Sequence, residues 1–105
     1  MRPVVAIITL TDPHHAQHVR ERLWIESFGA IRMRFVMPKS KTQLIDMPAT
    51  MFESFFDAHL EYRTDVVFHQ EKGLYERSYW HELQLPKIPA HLSHLILNIC
   101  TSKPA

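Results

Sequence analysis

Residues 4–10, Val-Val-Ala-Ile-Ile-Thr-Leu, are uncharged and mostly β-branched, and Thr11-Asp12-Pro13 follows at once. This junction constrains the fold more than any other stretch. An apolar run of that length reads as a buried strand. Asp12 is suited to cap free helix amides, and Pro13 suits a first helical position because its missing N–H would have no partner there. The chain therefore opens strand-then-helix. The helix is expected over 13–28, with Ala16, Val19, Leu23, Trp24 and Phe28 as its buried stripe and Gly29 as its stop.

The pattern then changes period. Ile31, Met33, Phe35 and Met37 alternate with Arg32, Arg34 and Val36, which describes a strand with one buried face. Pro38-Lys39-Ser40 is a turn, and residues 41–46 return as a short strand. Thr50 and Glu53 have capping-box spacing and open a second helix lined by Phe52, Phe55, Phe56, His59 and Leu60. Thr64 to His69 is a third strong strand, and Gln70 to Gly73 turns the chain. Residues 74–85 fit both a helix and a strand; dense aromatics after Glu-Lys-Gly favour the strand. Pro86 and Pro89 bracket an extended connector. Leu92 to Ile99 is the last strand, and residues 101–105 read as a flexible tail.

The order β-α-β-β-α-β, followed by an extra β-β, predicts a single α+β domain over residues 1–100. Its first six elements have the ferredoxin-like, split βαβ pattern: an antiparallel sheet with two helices on one face. In outline this resembles the small ferredoxin-fold nucleic-acid-processing proteins of the CRISPR adaptation and antitoxin ribonuclease type. Those often have a polar residue ending the first strand, an Arg-bearing helix, a glycine and a second strand. The corresponding pieces here are Asp12, Arg20 and Arg22, Gly29, and Ile31 to Met37. The likeness is one of architecture and identifies no family.

Bulk properties exclude more than they assert. Composition is ordinary for a globular chain, with 46% hydrophobic and 22% charged residues. The single cysteine, Cys100, rules out an intrachain disulfide and fits a reducing compartment. No signal peptide is visible, and no apolar run approaches the roughly 20 residues that cross a bilayer. A soluble cytoplasmic protein without a membrane partner is the expectation. Net charge is +1; residues 1–52 carry seven Lys/Arg and four Asp/Glu, and residues 53–105 carry five and seven. A dedicated nucleic-acid binder usually shows a denser basic patch.

Eight histidines fall partly in two groups, His14/His15/His18 and His91/His94. Imidazole is the commonest metal ligand. If the last strand lies antiparallel beside the first, His91 approaches Asp12, and Asp12, His14, His18 and His91 become a candidate set for a divalent metal, zinc or manganese. No His-Glu-x-x-His motif is present. His91-Leu92-Ser93 is a His-x-Ser unit, but no second unit pairs with it, so a two-histidine phosphoesterase is rejected. With only Gly29 and Gly73 there is no phosphate-cradling loop, and Cys100 reads as a small buried hydrophobe.

Arg20, Arg32, Arg34, Lys39 and Lys41 are the candidate nucleic-acid contacts. Tyr75, Tyr79 and Trp80 are the candidate protein interface, because such side chains bury large area while keeping a polar tip. The expected function is a small non-enzymatic binding or regulatory protein. It would act through a surface on a protein or nucleoprotein partner, as a homodimer and without a cofactor. The alternatives are a metal-dependent phosphodiesterase or ribonuclease using Asp12 and the histidines, and an RNA-binding module.

Overall fold

The computed structural model describes residues 2–35 and 40–101. The elements are β1 (Pro3–Leu10), a 3-10 turn (Pro13–His15), α1 (Ala16–Glu26), β2 (Arg32–Phe35), β3 (Thr42–Pro48), α2 (Ala49–Phe55), β4 (His59–His69), β5 (Gly73–Gln84), a second 3-10 turn (Ala90–Leu92) and β6 (Ile96–Thr101). The fold is α+β. Four strands form an antiparallel sheet in the order β2-β3-β1-β6, and β4 and β5 form a separate two-stranded sheet.

Alternation places the core. Val4, Ala6, Ile8 and Leu10 of β1 are buried, whereas Val5, Ile7 and Thr9 are half-buried. Ile45 and Met47 of β3 stand opposite Ala6 and Val4, and Ile99 of β6 stands opposite Ile8, so one sheet face is continuous and apolar. Val19 and Leu23 of α1, with Phe52 and Phe56 from α2 and the residue after it, pack on that face in one core.

The first helix starts where Asp12 predicts. Its side chain accepts from the His14 backbone N–H at 2.9 Å, but the opening turn is 3-10 and the α-helix begins at Ala16. The helix ends at Glu26. Phe28 (φ 55°) and Gly29 (φ 81°) are left-handed, and the Gly29 N–H closes on the Trp24 carbonyl at 2.8 Å, a Schellman-type stop. Ser27 seals this end: its buried hydroxyl donates to the Leu23 carbonyl at 2.6 Å and accepts from the Ile31 N–H at 2.9 Å.

Several expectations need correcting. Trp24 is 50% exposed and Phe28 97% exposed, so neither belongs to the buried stripe. Pro48, without a side-chain cap, occupies the N-cap position of α2. Glu53 serves the other end instead: its carboxylate accepts from the Leu60 N–H at 3.0 Å and pairs with His59 at 3.2 Å. His59 and Leu60 open β4 rather than continuing the helix. The strand expected at 64–69 does not join the main sheet, and β6 lies beside β1 instead. Thr101, assigned to the tail, is buried and ends β6; residues 102–105 lie outside the described residues.

The hairpin makes the molecule long. The radius of gyration is 15.0 Å, against about 13 Å for a compact chain of this length, and the extents are 44 × 28 × 20 Å. No described helix is long and apolar enough to cross a membrane.

Candidate functional site

The β4–β5 arm is anchored at its base and bare at its tip. Directly opposed residues of an antiparallel pair share a face. One face carries Tyr62/Trp80, Thr64/Ser78, Val66/Glu76 and Phe68/Leu74. At its base Leu60 is buried in the core and Trp80 packs on it. The Trp80 indole N–H donates to the Pro3 carbonyl at 3.1 Å, and Tyr62 meets Trp80 edge-on with ring centroids 5.0 Å apart. The Arg2 guanidinium lies 4.1 Å over the Tyr62 ring. Glu82 ties β5 to β6, accepting from the Thr101 hydroxyl at 2.6 Å and its N–H at 3.2 Å.

Farther out, the same face keeps its apolar character but loses its cover. Val66 is 68% exposed, Phe68 70% and Leu74 74%. The stretch from Arg63 to His69 is roughly 20 Å long at 3.4 Å per residue. Gly73, at φ 72°, closes the tip. Among the described residues, each strand has its partner on one side and an unpaired edge on the other.

The opposite face is polar and knitted along its own length. Tyr79 donates to Asp65 at 2.8 Å, which raises the Tyr79 phenol above its ordinary value because ionisation would lose that bond. Arg77 lies 5.9 Å from the Tyr79 ring, with its buried Nε lacking a hydrogen-bond partner, and Lys72 lies 6.0 Å from Tyr75. The sequence-derived trio is thus divided: Tyr75 and Tyr79 lie on this face and Trp80 on the other. All three are half-buried. Val66, Phe68 and Leu74 were missed.

The cationic candidates are also divided. Arg20 and Arg32 meet in an open groove of about 750 Å³ between α1 and β2, lined also by Trp24, Ile25, Ile31 and Met33. The Trp24 ring lies against Gly29, where a Cβ would come within 3.2 Å of it. Asp46, opposite Arg32 on β3, closes the far wall. Lys41 is exposed five positions before Asp46, about 17 Å along the strand direction. The Arg34 side chain and Lys39 lie outside the described residues.

The histidines do not gather. His14 Nδ1 lies 2.8 Å from Asp12. The Asp12 carboxyl is held below its ordinary value, first by the His14 backbone N–H and then by the His14 ring. His18 is exposed on α1. The start of β6 does lie beside the end of β1, with the Thr11 hydroxyl donating to the His94 carbonyl at 2.9 Å. His91, however, pairs with Glu26, which also holds Arg22 at 3.0 Å. Glu26 is eight residues beyond His18, about 12 Å along the helix. Among the described residues no group of three or more His, Cys, Asp or Glu is placed to hold a metal ion. Cys100 is a free, half-buried thiol.

No protein-family model matches the chain, and no curated protein and no solved structure is detectably similar to it.

Proposed function

We propose that this chain is a small non-enzymatic binding or regulatory protein that acts through its β4–β5 arm on a protein surface, a second copy of itself included. The observation that carries this is the exposure of Val66, Phe68 and Leu74 on a face whose base packs in the core. A two-stranded ribbon is marginal alone in water, and unpaired edges beside apolar side chains favour docking. The supporting frame is read as a split βαβ unit with the arm inserted before its last strand; the order β2-β3-β1-β6 supports this. The single cysteine supports a cytoplasmic setting.

The test is a photo-reactive residue at Leu74, compared in the producing cells with one at exposed Lys41. Adducts to a polypeptide from position 74, with few from position 41, are expected. Equal yields, or none above background, would sink the reading.

A second reading has one specific observation in its favour. Arg20, Arg32 and half-exposed Trp24 share a groove, and aromatic stacking beside guanidinium is how single-stranded RNA is held. Short RNA should then quench tryptophan fluorescence, more weakly as salt rises, and Arg20→Ala/Arg32→Ala should abolish the quench. Quenching indifferent to both salt and substitution would remove this reading.

A further inference from the structure

We infer that the arm's partner is a second copy of this chain, joined by antiparallel pairing of β4 with the partner's β4 about a twofold axis at Val67. This rests on reading the arm as a docking surface, and adds the occupant and the register.

The free edge of β4 fixes which groups are available. Leu60 sends its N–H to Glu53, away from β5. The β4–β5 register is unbroken from Leu60 to His69. Backbone groups alternate sides along an antiparallel strand, so those of Tyr62, Thr64, Val66 and Phe68 point to the open edge, and those of Val67 point to β5. With Val67 on the axis, Val66 stands opposite the partner's Phe68 and exchanges both backbone hydrogen bonds with it. The twofold repeats this exchange. Val67 then faces the partner's Val67 as a close, non-hydrogen-bonded pair.

Charge selects the same register. Asp65 falls opposite the partner's His69, the last residue of β4. Moving the axis by one or two residues undoes this. On Val66 it sets Arg63 against the partner's His69; on Asp65 it sets that carboxylate against its own copy; on Phe68 it leaves only residues 67–69 to pair, because the chain turns at Gln70. An axis on Thr64 does match Arg63 with the partner's Asp65. It also brings the partner's Phe68 to Leu60, whose N–H is already taken and which is buried beside α2. The β5 edge fits less well. An axis at Arg77 opposes two guanidinium groups, one at Ser78 sets Glu76 against Trp80, and the base of β5 lies along β6. β4 also holds the β-branched Thr64, Val66 and Val67, which favour pairing. The result is a four-stranded ribbon with Val66 beside the partner's Phe68 on one apolar face.

The experiment uses the full chain with Cys100→Ser as background. Val67→Cys, Thr64→Cys and Glu76→Cys are each oxidised in a glutathione buffer, and disulfide dimer is followed over time. Facing Cβ atoms in a non-hydrogen-bonded pair are about 4.5–5.5 Å apart, close enough to bridge with small adjustment. Position 67 should cross-link at least about tenfold faster than positions 64 and 76, because pairing raises the local thiol concentration. Sedimentation of the Cys100→Ser background should show a dimer that Val66→Lys dissociates, which tests the pairing without relying on Val67→Cys folding well. Faster cross-linking at 64 or 76 would overturn the register. A dimer untouched by Val66→Lys, or a monomer up to about 100 µM, would overturn the pairing itself. Adducts from Leu74 to a different polypeptide would then still support the arm as a docking surface.

Discussion

Truncating Phe68 and Phe52 to alanine should separate arm from core by energy. Phe52 is fully enclosed and Phe68 is 70% exposed. Removing a buried phenylalanine costs about 3–5 kcal/mol, from lost transfer energy and the cavity left behind. Fully burying such a side chain yields about 1.5–3 kcal/mol. With roughly a third of its surface covered, Phe68 contributes less than about 1 kcal/mol to the isolated fold. The comparison becomes sharper when protein concentration is varied. A partner that binds only the folded chain raises apparent stability by about 2.7 kcal/mol at a hundredfold excess over Kd. Urea unfolding at about 1 µM and about 100 µM, spanning that excess, should therefore shift the wild-type midpoint upward while Phe68→Ala stays nearly fixed. Phe52→Ala should lose its full cost at both concentrations. A loss of 3 kcal/mol or more for Phe68→Ala at the lower concentration would refute the reasoning, because it would require the tip to be packed within its own chain.

Ser27→Ala should cost about 1–3 kcal/mol in the same unfolding assay, since it leaves the buried Ile31 N–H without its 2.9 Å acceptor. Gly29→Ala should cost about 1–2 kcal/mol, and more than Gly73→Ala. Both glycines have positive φ, but only at Gly29 does an added Cβ crowd another group, the Trp24 ring. The Tyr79 phenol, bonded to Asp65, should ionise above the ordinary tyrosine range in ultraviolet difference titration, and Asp65→Asn should bring it back down. Its folded value is raised, so its contribution to stability is complete below the ordinary tyrosine range. That contribution disappears as pH climbs through the raised value. Alkaline unfolding that is unchanged by Asp65→Asn would contradict this sign.

Local signals were legible and long-range partnership was not. The uncharged run before Asp12-Pro13, the alternation in β2 and the Gly29 stop each report on their own few residues, and the elements stand close to where those signals put them. The helix stripe failed for a geometric reason. At 100° per residue, Trp24 lies about 80° around the axis from Ala16, on the flank that became the groove wall, and Phe28 lies beyond the helix's end at Glu26, in a left-handed conformation. The hairpin failed for a different one. A period of two states that a segment is a strand, and never which strand is its neighbour. Choosing Tyr75, Tyr79 and Trp80 by residue type also ignored parity, which divides them between faces.

A usable signal for the site did exist, in the length of the hairpin rather than in any motif. Among the described residues, β4 and β5 run for 11 and 12 residues, whereas the four strands of the main sheet run for eight or fewer. A hairpin longer than the sheet beside it must overhang, and an overhang ought to be polar on both faces. This one instead carries Val66 and Phe68 exposed on one face near the tip. The histidines made the opposite impression. They are conspicuous as a count, yet His14, His59 and His91 each meet one carboxylate, at the start of α1, between α2 and β4, and at the end of α1. An imidazole with one carboxylate fastens two pieces of chain. A ligand site needs several such groups to converge, and convergence depends on topology that residue counts do not contain. Apolar side chains on strand too long for its own sheet are the stronger guide here, because the described residues leave Val66, Phe68 and Leu74 uncovered.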